Sequence, residues 1–152
     1  KMILKILKYS FLLILITSCG YTPIYSNLDL ENINIKVEKV KGDKNINSLI
    51  VQKLSRYQNE NTEKVYNVTI DSNYDKLILA KNAAGNATNF RLNVIVRFIT
   101  RINGNSKEFK FTEKFDMKKG DTIFEEEKYE NNIINDMTNI IVQRFISQLI
   151  IK

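Results

Sequence analysis

The feature that most constrains the fold is an alternation of apolar and polar side chains between residues 90 and 102. Apolar residues occupy even-numbered positions: Phe90, Leu92, Val94, Val96, Phe98 and Ile102. The odd-numbered positions include Arg91, Asn93, Arg97 and Arg101. Because successive side chains of a strand point to opposite faces, this pattern predicts a strand with one face in the core and the other in water.

Similar patterns lie on either side of this strand. Tyr66, Val68 and Ile70 alternate with polar residues in a strand expected from Val65 to about Ala80. The dipeptide Asn103-Gly104 is typical of a tight hairpin turn, and alternation resumes after it with Phe109, Phe111, Phe115 and Met117. The three segments predict an antiparallel meander.

A strand and a helix are expected before the meander. Ile33, Ile35 and Val37 alternate with polar residues up to Gly42-Asp43. Helical spacing then follows at Ile46, Leu49, Ile50, Leu54 and Tyr57, with Asn45 or Asn47 available as the N-cap.

A long helix is expected at the C-terminus, from Glu125-Glu126-Glu127 to about Ile150, with acidic residues near the positive end of its dipole. Its apolar stripe comprises Ile134, Met137, Ile141, Phe145 and Leu149, widened by Ile133, Ile140, Ile146 and Ile150. The order β-α-β-β-β-α predicts an α+β two-layer sandwich, with two helices on one face of a four-stranded, mostly antiparallel sheet.

Composition argues against most enzyme classes. The chain has no His and one Cys, which excludes histidine-based triads, imidazole metal sites, zinc ribbons and internal disulfides. We therefore expect no catalytic residues, no metal and no cofactor. A carboxylate-based hydrolase using Glu125, Glu126, Glu127 or Glu130 is a remote alternative, because acids at a helix start already have a structural explanation.

The N-terminal segment has the order of a secretory signal: three lysines, an apolar run from Tyr9 to Ile16, and small residues before Cys19. As a helix, the run from Tyr9 to Ser18 would reach about 15 Å, half of the ~30 Å needed to span a bilayer. The expected organisation is a lipoprotein signal peptide at 1–18, a lipidated tether at 19–32 and one α+β domain at 33–152.

The residues Ile16-Thr17-Ser18-Cys19 also resemble the lipobox of bacterial lipoproteins. This resemblance implies that Cys19 is acylated on sulfur and becomes the first residue of the mature protein. Several acyl chains at one residue make a stable membrane anchor. In lipoproteins an Asp after the cysteine tends to retain the protein in the inner membrane, so Gly20 favours the outer membrane.

Positive charge is concentrated in the middle of the chain, where residues 76–119 contain ten basic and three acidic residues. Pairing the strands about Asn103-Gly104 places Arg91 roughly opposite Asp116 to Lys118. Four cations are then expected at one end of the sheet: Lys81, Arg91, Lys118 and Lys119. Such a field suits a phosphate-bearing partner, although solvated loop ends give the same count. Outside the signal segment the net charge is small, and we expect no nucleic-acid partner.

Several short motifs together resemble the lipopolysaccharide-assembly lipoprotein family LptE, over nearly the whole chain. They are the lipobox with the following residues 20–25 (Gly-Tyr-Thr-Pro-Ile-Tyr), Leu54-Ser55-Arg56-Tyr57, Ala87-Thr88-Asn89-Phe90-Arg91-Leu92, and the long terminal helix. The resemblance implies a lipoprotein on the periplasmic side of the outer membrane that sits inside the LptD barrel, plugs it, helps it fold and binds lipopolysaccharide.

The resemblance implies that the ligand of the expected basic site is lipopolysaccharide. Its phosphates are multiply anionic and suit an arginine fork beside lysines. A second choice is the outer sheet face, where a barrel wall is an equally good partner for Arg97, Arg101, Lys110 and Lys114. Two related functions stay open: an auxiliary lipoprotein of another periplasmic lipid-transport system, and a pilotin-like chaperone.

Overall fold

A computed structural model describes residues 33–62 and 64–150; the signal peptide and tether expected at 1–32 lie outside the described residues. The elements are β1 (Asn34–Gly42), α1 (Lys44–Leu54), a 3-10 turn (Ser55–Tyr57), β2 (Val65–Lys81), β3 (Ala87–Ile102), β4 (Asn105–Lys118) and α2 (Ile123–Ile150). The predicted order β-α-β-β-β-α and the α+β class are confirmed.

The four strands form one sheet in the order β1-β2-β3-β4. β1 runs parallel to β2, whereas β2, β3 and β4 are antiparallel neighbours, so the predicted meander is confirmed. Asn103 and Gly104 form the β3–β4 turn with φ of 49° and 82°. Positive φ at both central residues is what a tight hairpin turn requires, and it explains why this dipeptide fixes the register.

Both helices pack on one face of the sheet: α1 lies over β1 and β2, and α2 packs on β3, β4 and α1. The even-numbered residues of β3 from Phe90 to Phe98 are buried, as the alternation predicted. Phe98 stacks on Phe145 of α2 with ring centroids 4.1 Å apart. The core thus lies between the sheet and the two helices.

The start of α1 corrects one sequence expectation. Asp43, not Asn45 or Asn47, is the N-cap, and its Oδ1 accepts a hydrogen bond of 2.9 Å from the N–H of Ile46. Gly42, at φ +88°, lets the chain turn directly from β1 into the helix, so the helix begins earlier than its apolar spacing suggested.

Asn47 has a different role from the expected one, because it is buried between α1 and the sheet. Its Nδ2 donates to the carbonyl of Lys41 (2.8 Å), and its Oδ1 accepts from the hydroxyl of Ser72 (3.0 Å). These bonds satisfy the buried amide and tie β1, α1 and β2 together.

The long helix α2 begins at Ile123, two residues before the glutamates that predicted its start. Thr122 lies just before it, and its hydroxyl accepts from the N–H of Glu125 (3.2 Å). Of the residues expected to widen its apolar stripe, Ile133 and Ile146 are buried and Ile150 is partly buried, but Ile140 is 40% exposed. Ile140 is thus the member of the widened stripe that the packing of α2 leaves exposed.

Candidate functional site

Three of the four predicted cations lie at the end of the sheet where β2 turns into β3 and β4 ends. Lys81 is in register with Ala87, and Lys118 with Asn89. The N–H of Lys119 donates to the carbonyl of Thr88 (2.8 Å) and extends the pairing by one residue. The structure thus brings Lys81, Lys118 and Lys119 to one end.

Arg91 lies further along β3, directly opposite Asp116 of β4, as the hairpin register predicted. Its Nε and Nη2 donate to the two carboxylate oxygens of Asp116, both at 2.7 Å. The hydrogen bonds from Arg91 lower the pKa of Asp116, and those to Asp116 raise the pKa of Arg91. A bidentate pair of this kind holds the guanidinium in one orientation and balances its charge locally.

Lys118 and Lys119 lie on opposite sides of the sheet. Met117 is buried against the helices, so its neighbour Lys118 is on the outer face, the same face as Arg91. Lys119 instead lines a cleft of about 500 Å³ between the sheet and the start of α2, close to Glu126. Lys81, Lys118 and Lys119 therefore share one end of the sheet, with Arg91 further along β3, and the four cations do not form a single cluster.

The cleft contains a lysine that the sequence interpretation missed. Nζ of Lys76 lies 2.8 Å from Glu126 and 2.7 Å from Glu130, and 4.3 Å from the ring centre of Phe90. The bond from Lys76 is the main cause that lowers the pKa of Glu126. A lysine on the helix-facing side of a strand, with two acids one helical turn apart on α2, is the sequence signal that could have revealed this group.

Tyr74 extends the same group, because its hydroxyl donates a hydrogen bond to Glu130. Burial, and secondarily this bond, raise the pKa of Tyr74 well above its ordinary value. The hydroxyl therefore stays neutral at physiological pH and serves as a donor.

Three of the four glutamates considered for a hydrolase, Glu125, Glu126 and Glu130, have structural partners. Glu126 and Glu130 bind Lys76, and the N–H and side chain of Glu125 both bond to the Thr122 hydroxyl. Within residues 33–62 and 64–150, no group of three or more His, Cys, Asp or Glu side chains is placed to hold a metal ion. No helix in these ranges is long and apolar enough to cross a membrane.

The second-choice cations lie on the outer sheet face, which neither α1 nor α2 covers. Arg97 is in register with Lys110 and makes an exposed ion pair with Glu108 at 3.1 Å. Half-buried Ile95 and Ile99 lie between the charges, and Arg101 and Lys114 extend the basic surface toward the two ends. Along β3 this face therefore alternates half-buried apolar and basic side chains, with Arg97 between Ile95 and Ile99.

A larger cleft of about 810 Å³ lies at the opposite end of the sheet, near the β3–β4 turn. Its apolar lining includes Tyr66, Phe109 and Leu149, and Lys64 and Lys107 lie over the rings of Tyr66 and Phe109. It is remote from the predicted cation site.

The fold is that of rare lipoprotein B from Shewanella oneidensis, with a TM-score of 0.57 and 14% identity over 74% of this chain and 93% of that one. Looser similarities link the chain to a minor lipoprotein from Acinetobacter baumannii, with a TM-score of 0.48 and 16% identity over 72% of this chain and 93% of that one. A lipoprotein B from Nitrosomonas europaea has a TM-score of 0.48 and 18% identity over 77% of this chain and 84% of that one. No protein-family model and no curated protein matches the sequence.

At 14% identity the likeness to rare lipoprotein B is one of fold. The class defined by the architecture is a two-layer α+β sandwich with helices on one face and an open basic sheet face on the other. This agrees, at the level of the fold, with the resemblance to the LptE family.

Proposed function

We propose that the protein is an outer-membrane lipoprotein of the LptE type, anchored on the periplasmic side through acyl chains on Cys19. It partners and plugs a barrel of the LptD kind, assists the assembly of that barrel and binds lipopolysaccharide during transport to the cell surface. The observation that carries the proposal is the fold: the predicted order β-α-β-β-β-α is found, and the fold is similar to that of a bacterial lipoprotein.

The charge distribution supports an anionic ligand. Lys118 and Arg91 lie on the open sheet face near the β2–β3 turn, and Lys81 lies at the same end. Phosphate groups suit an arginine fork with nearby ammonium groups, since charge-assisted hydrogen bonds are about twice as strong as neutral ones. In this proposal the phosphates of lipopolysaccharide bind at this end.

The uncovered outer face supports a large protein partner. It presents Ile95 and Ile99 on either side of Arg97, with Lys110 beside Arg97 and Arg101 beyond Ile99. Arginine is enriched in protein interfaces, and a barrel wall facing this sheet would provide the complement to this mixed apolar and basic surface.

The lipid anchor is tested by mass spectrometry of the protein from its native membrane. We expect loss of residues 1–18 and added acyl mass on Cys19. In the Cys19→Ala variant the circular dichroism spectrum should be unchanged, whereas the protein leaves the membrane fraction. An intact, unmodified N-terminus would contradict the anchor.

The partner is tested by purifying the tagged chain from detergent-solubilised outer membrane, with Cys19→Ala as the control. The proposal predicts recovery of a large barrel with an N-terminal periplasmic domain. Recovery of a secretin, or of components of another lipid-transport system, would favour the pilotin-like or the auxiliary-lipoprotein function instead.

A further inference from the structure

The second strand has an edge that no described strand covers. β1 pairs with β2 only as far as the register Gly42–Ser72, while β2 continues to Lys81. The carbonyl of Ser72 accepts from the N–H of Asp43 (3.0 Å), so the backbone of Ser72 faces the β1 side. Because this direction alternates along a strand, the N–H and C=O groups of Tyr74, Lys76 and Ile78 also point away from β3.

This uncovered edge is apolar. Leu77, Ile78 and Leu79 are consecutive, and each side chain is between 42% and 54% exposed. Ile78 is in register with Phe90, and the exposed Ile123 lines the cleft beside the same ring. The apolar surface therefore extends from the strand edge to the start of α2.

The outer edges of the sheet are built differently. β1 has an irregular register between Val37 and Lys39 and carries Lys36, Glu38, Lys39 and Lys41. β4 has charged residues along its length, at Lys107, Glu108, Lys110, Glu113, Lys114, Asp116 and Lys118. Charges and irregular registers are the devices by which proteins prevent edge-to-edge pairing, and the triplet on β2 lacks charge. The contrast indicates that this edge has a partner.

We propose that the partner is a second copy of this chain, paired antiparallel with the first through the β2 edge. Asp75 lies two residues before the apolar triplet and Lys81 two residues after it, and they have opposite charges, while the intervening Lys76 is paired with Glu126 and Glu130. A two-fold axis at Ile78 places Asp75 of each copy opposite Lys81 of the other, whereas parallel pairing would place like charges together. The edge is thus complementary to itself in one orientation.

The irregular register of β2 at Ile78 to Ala80 limits how far such pairing extends. The interface is short, so we expect a concentration-dependent dimer rather than a permanent one. This inference does not rest on the proposed function.

The test uses the full chain in detergent, with sedimentation for its mass and amide hydrogen exchange by NMR. We expect a shift from monomer to dimer as concentration rises. The amides of Tyr74, Lys76 and Ile78 should become protected over the same range. The amides of Asp75 and Leu77 point toward β3 and serve as internal controls, since they should be protected at every concentration.

Matched variants test the contact. Ile78→Lys should weaken dimerisation at least about tenfold, whereas Ile140→Lys, at an exposed apolar position on α2, should not change it. Asp75→Lys alone should weaken the dimer, and adding Lys81→Asp should restore it.

Three results would overturn the proposal. One is a monomer at all concentrations, which would mean that the β2 edge pairs with a strand of another protein rather than with a second copy of this chain. Another is protection of the Tyr74, Lys76 and Ile78 amides in the monomer, which would mean that the chain covers its own edge. The third is a dimer that is indifferent to Ile78→Lys.

Discussion

Arg91 of β3 and Asp116 of β4 form a two-pronged ion pair on the open face of the sheet, with both N–O distances at 2.7 Å. The pair orients the arginine of the predicted phosphate site but also balances its charge. An anionic ligand at this position competes with Asp116, so the carboxylate limits the affinity of the site.

Asp116→Asn is therefore expected to strengthen binding of lipopolysaccharide, on the order of threefold at low salt, and less as salt rises. Because both partners are exposed, the midpoint of thermal unfolding should hardly change. Affinity is measured by titration against the wild-type chain, with Glu108→Gln, which removes the partner of Arg97, as the control. Weaker binding by Asp116→Asn would mean that the ion pair assists the ligand rather than competing with it.

Two glycines with similar backbone angles test the close contact between β1 and β2. Gly42 and Gly85 have φ of +88° and +82°, but a Cβ on Gly42 would lie 1.8 Å from the carbonyl oxygen of Ser72, whereas one on Gly85 would meet nothing within 4 Å. Gly85→Ala should cost about 1 kcal/mol of unfolding free energy from the left-handed backbone alone. Gly42→Ala should cost at least about 2 kcal/mol more, because the strand must shift. Equal losses in denaturant titrations would contradict the predicted clash.

Adjacent positions on β3 test which face of the sheet is covered. Val96 is fully buried under the helices, whereas Arg97 is exposed on the outer face. Val96→Asp should destabilise the domain by about 3 kcal/mol or more, since it buries an unpaired carboxylate. Arg97→Asp should change the urea midpoint only slightly. Comparable damage from both would show that the outer face is also covered in the free protein.

The ion-pair group around Lys76 predicts a dependence of stability on pH. The pKa of Glu126 is lowered in the folded state, so its contribution is present above its unfolded pKa of about 4.3 and is lost as pH falls through the folded value. The stability difference between wild type and Lys76→Met should therefore be largest near neutrality and shrink below about pH 4.5. Thermal midpoints at several pH values measure it, with Lys36→Met as the control. A stability difference between wild type and Lys76→Met that does not vary with pH would contradict the pairing of Lys76 with Glu126.

The strands were predictable because one face of the sheet is solvated, so the period of two is visible in the sequence. The alternation of β3 and the dipeptide Asn103-Gly104 were enough to predict the register that places Arg91 opposite Asp116. The helix starts were less predictable, since a cap depends on the conformation of the preceding turn. Gly42 has a positive φ that lets the chain turn at once, so α1 already begins at Lys44.

The missed features depend on contacts between distant segments. Lys76 of β2 meets Glu126 and Glu130 only because the first turns of α2 lie within reach of its side chain, and no local pattern gives that placement. The three consecutive apolar residues Leu77 to Leu79 interrupt the alternation in the sequence. They lie on an open edge because β2 is longer than β1. Lys81, Lys118 and Lys119 lie at one end of the sheet, but local sequence could not show that Lys119 turns to the helix side.

The most direct test of the proposed role is the affinity of the full chain for lipopolysaccharide in detergent, compared with the Arg91→Glu, Lys118→Glu double variant. Reversing two charges at the sheet end should weaken binding at least about tenfold while the circular dichroism spectrum stays unchanged. Wild-type binding should also weaken as salt rises. Unchanged affinity in a folded double variant would show that this site does not bind lipopolysaccharide and would favour the face of Arg97, Arg101, Lys110 and Lys114. Absence of binding by the wild type would contradict the lipopolysaccharide-binding role itself.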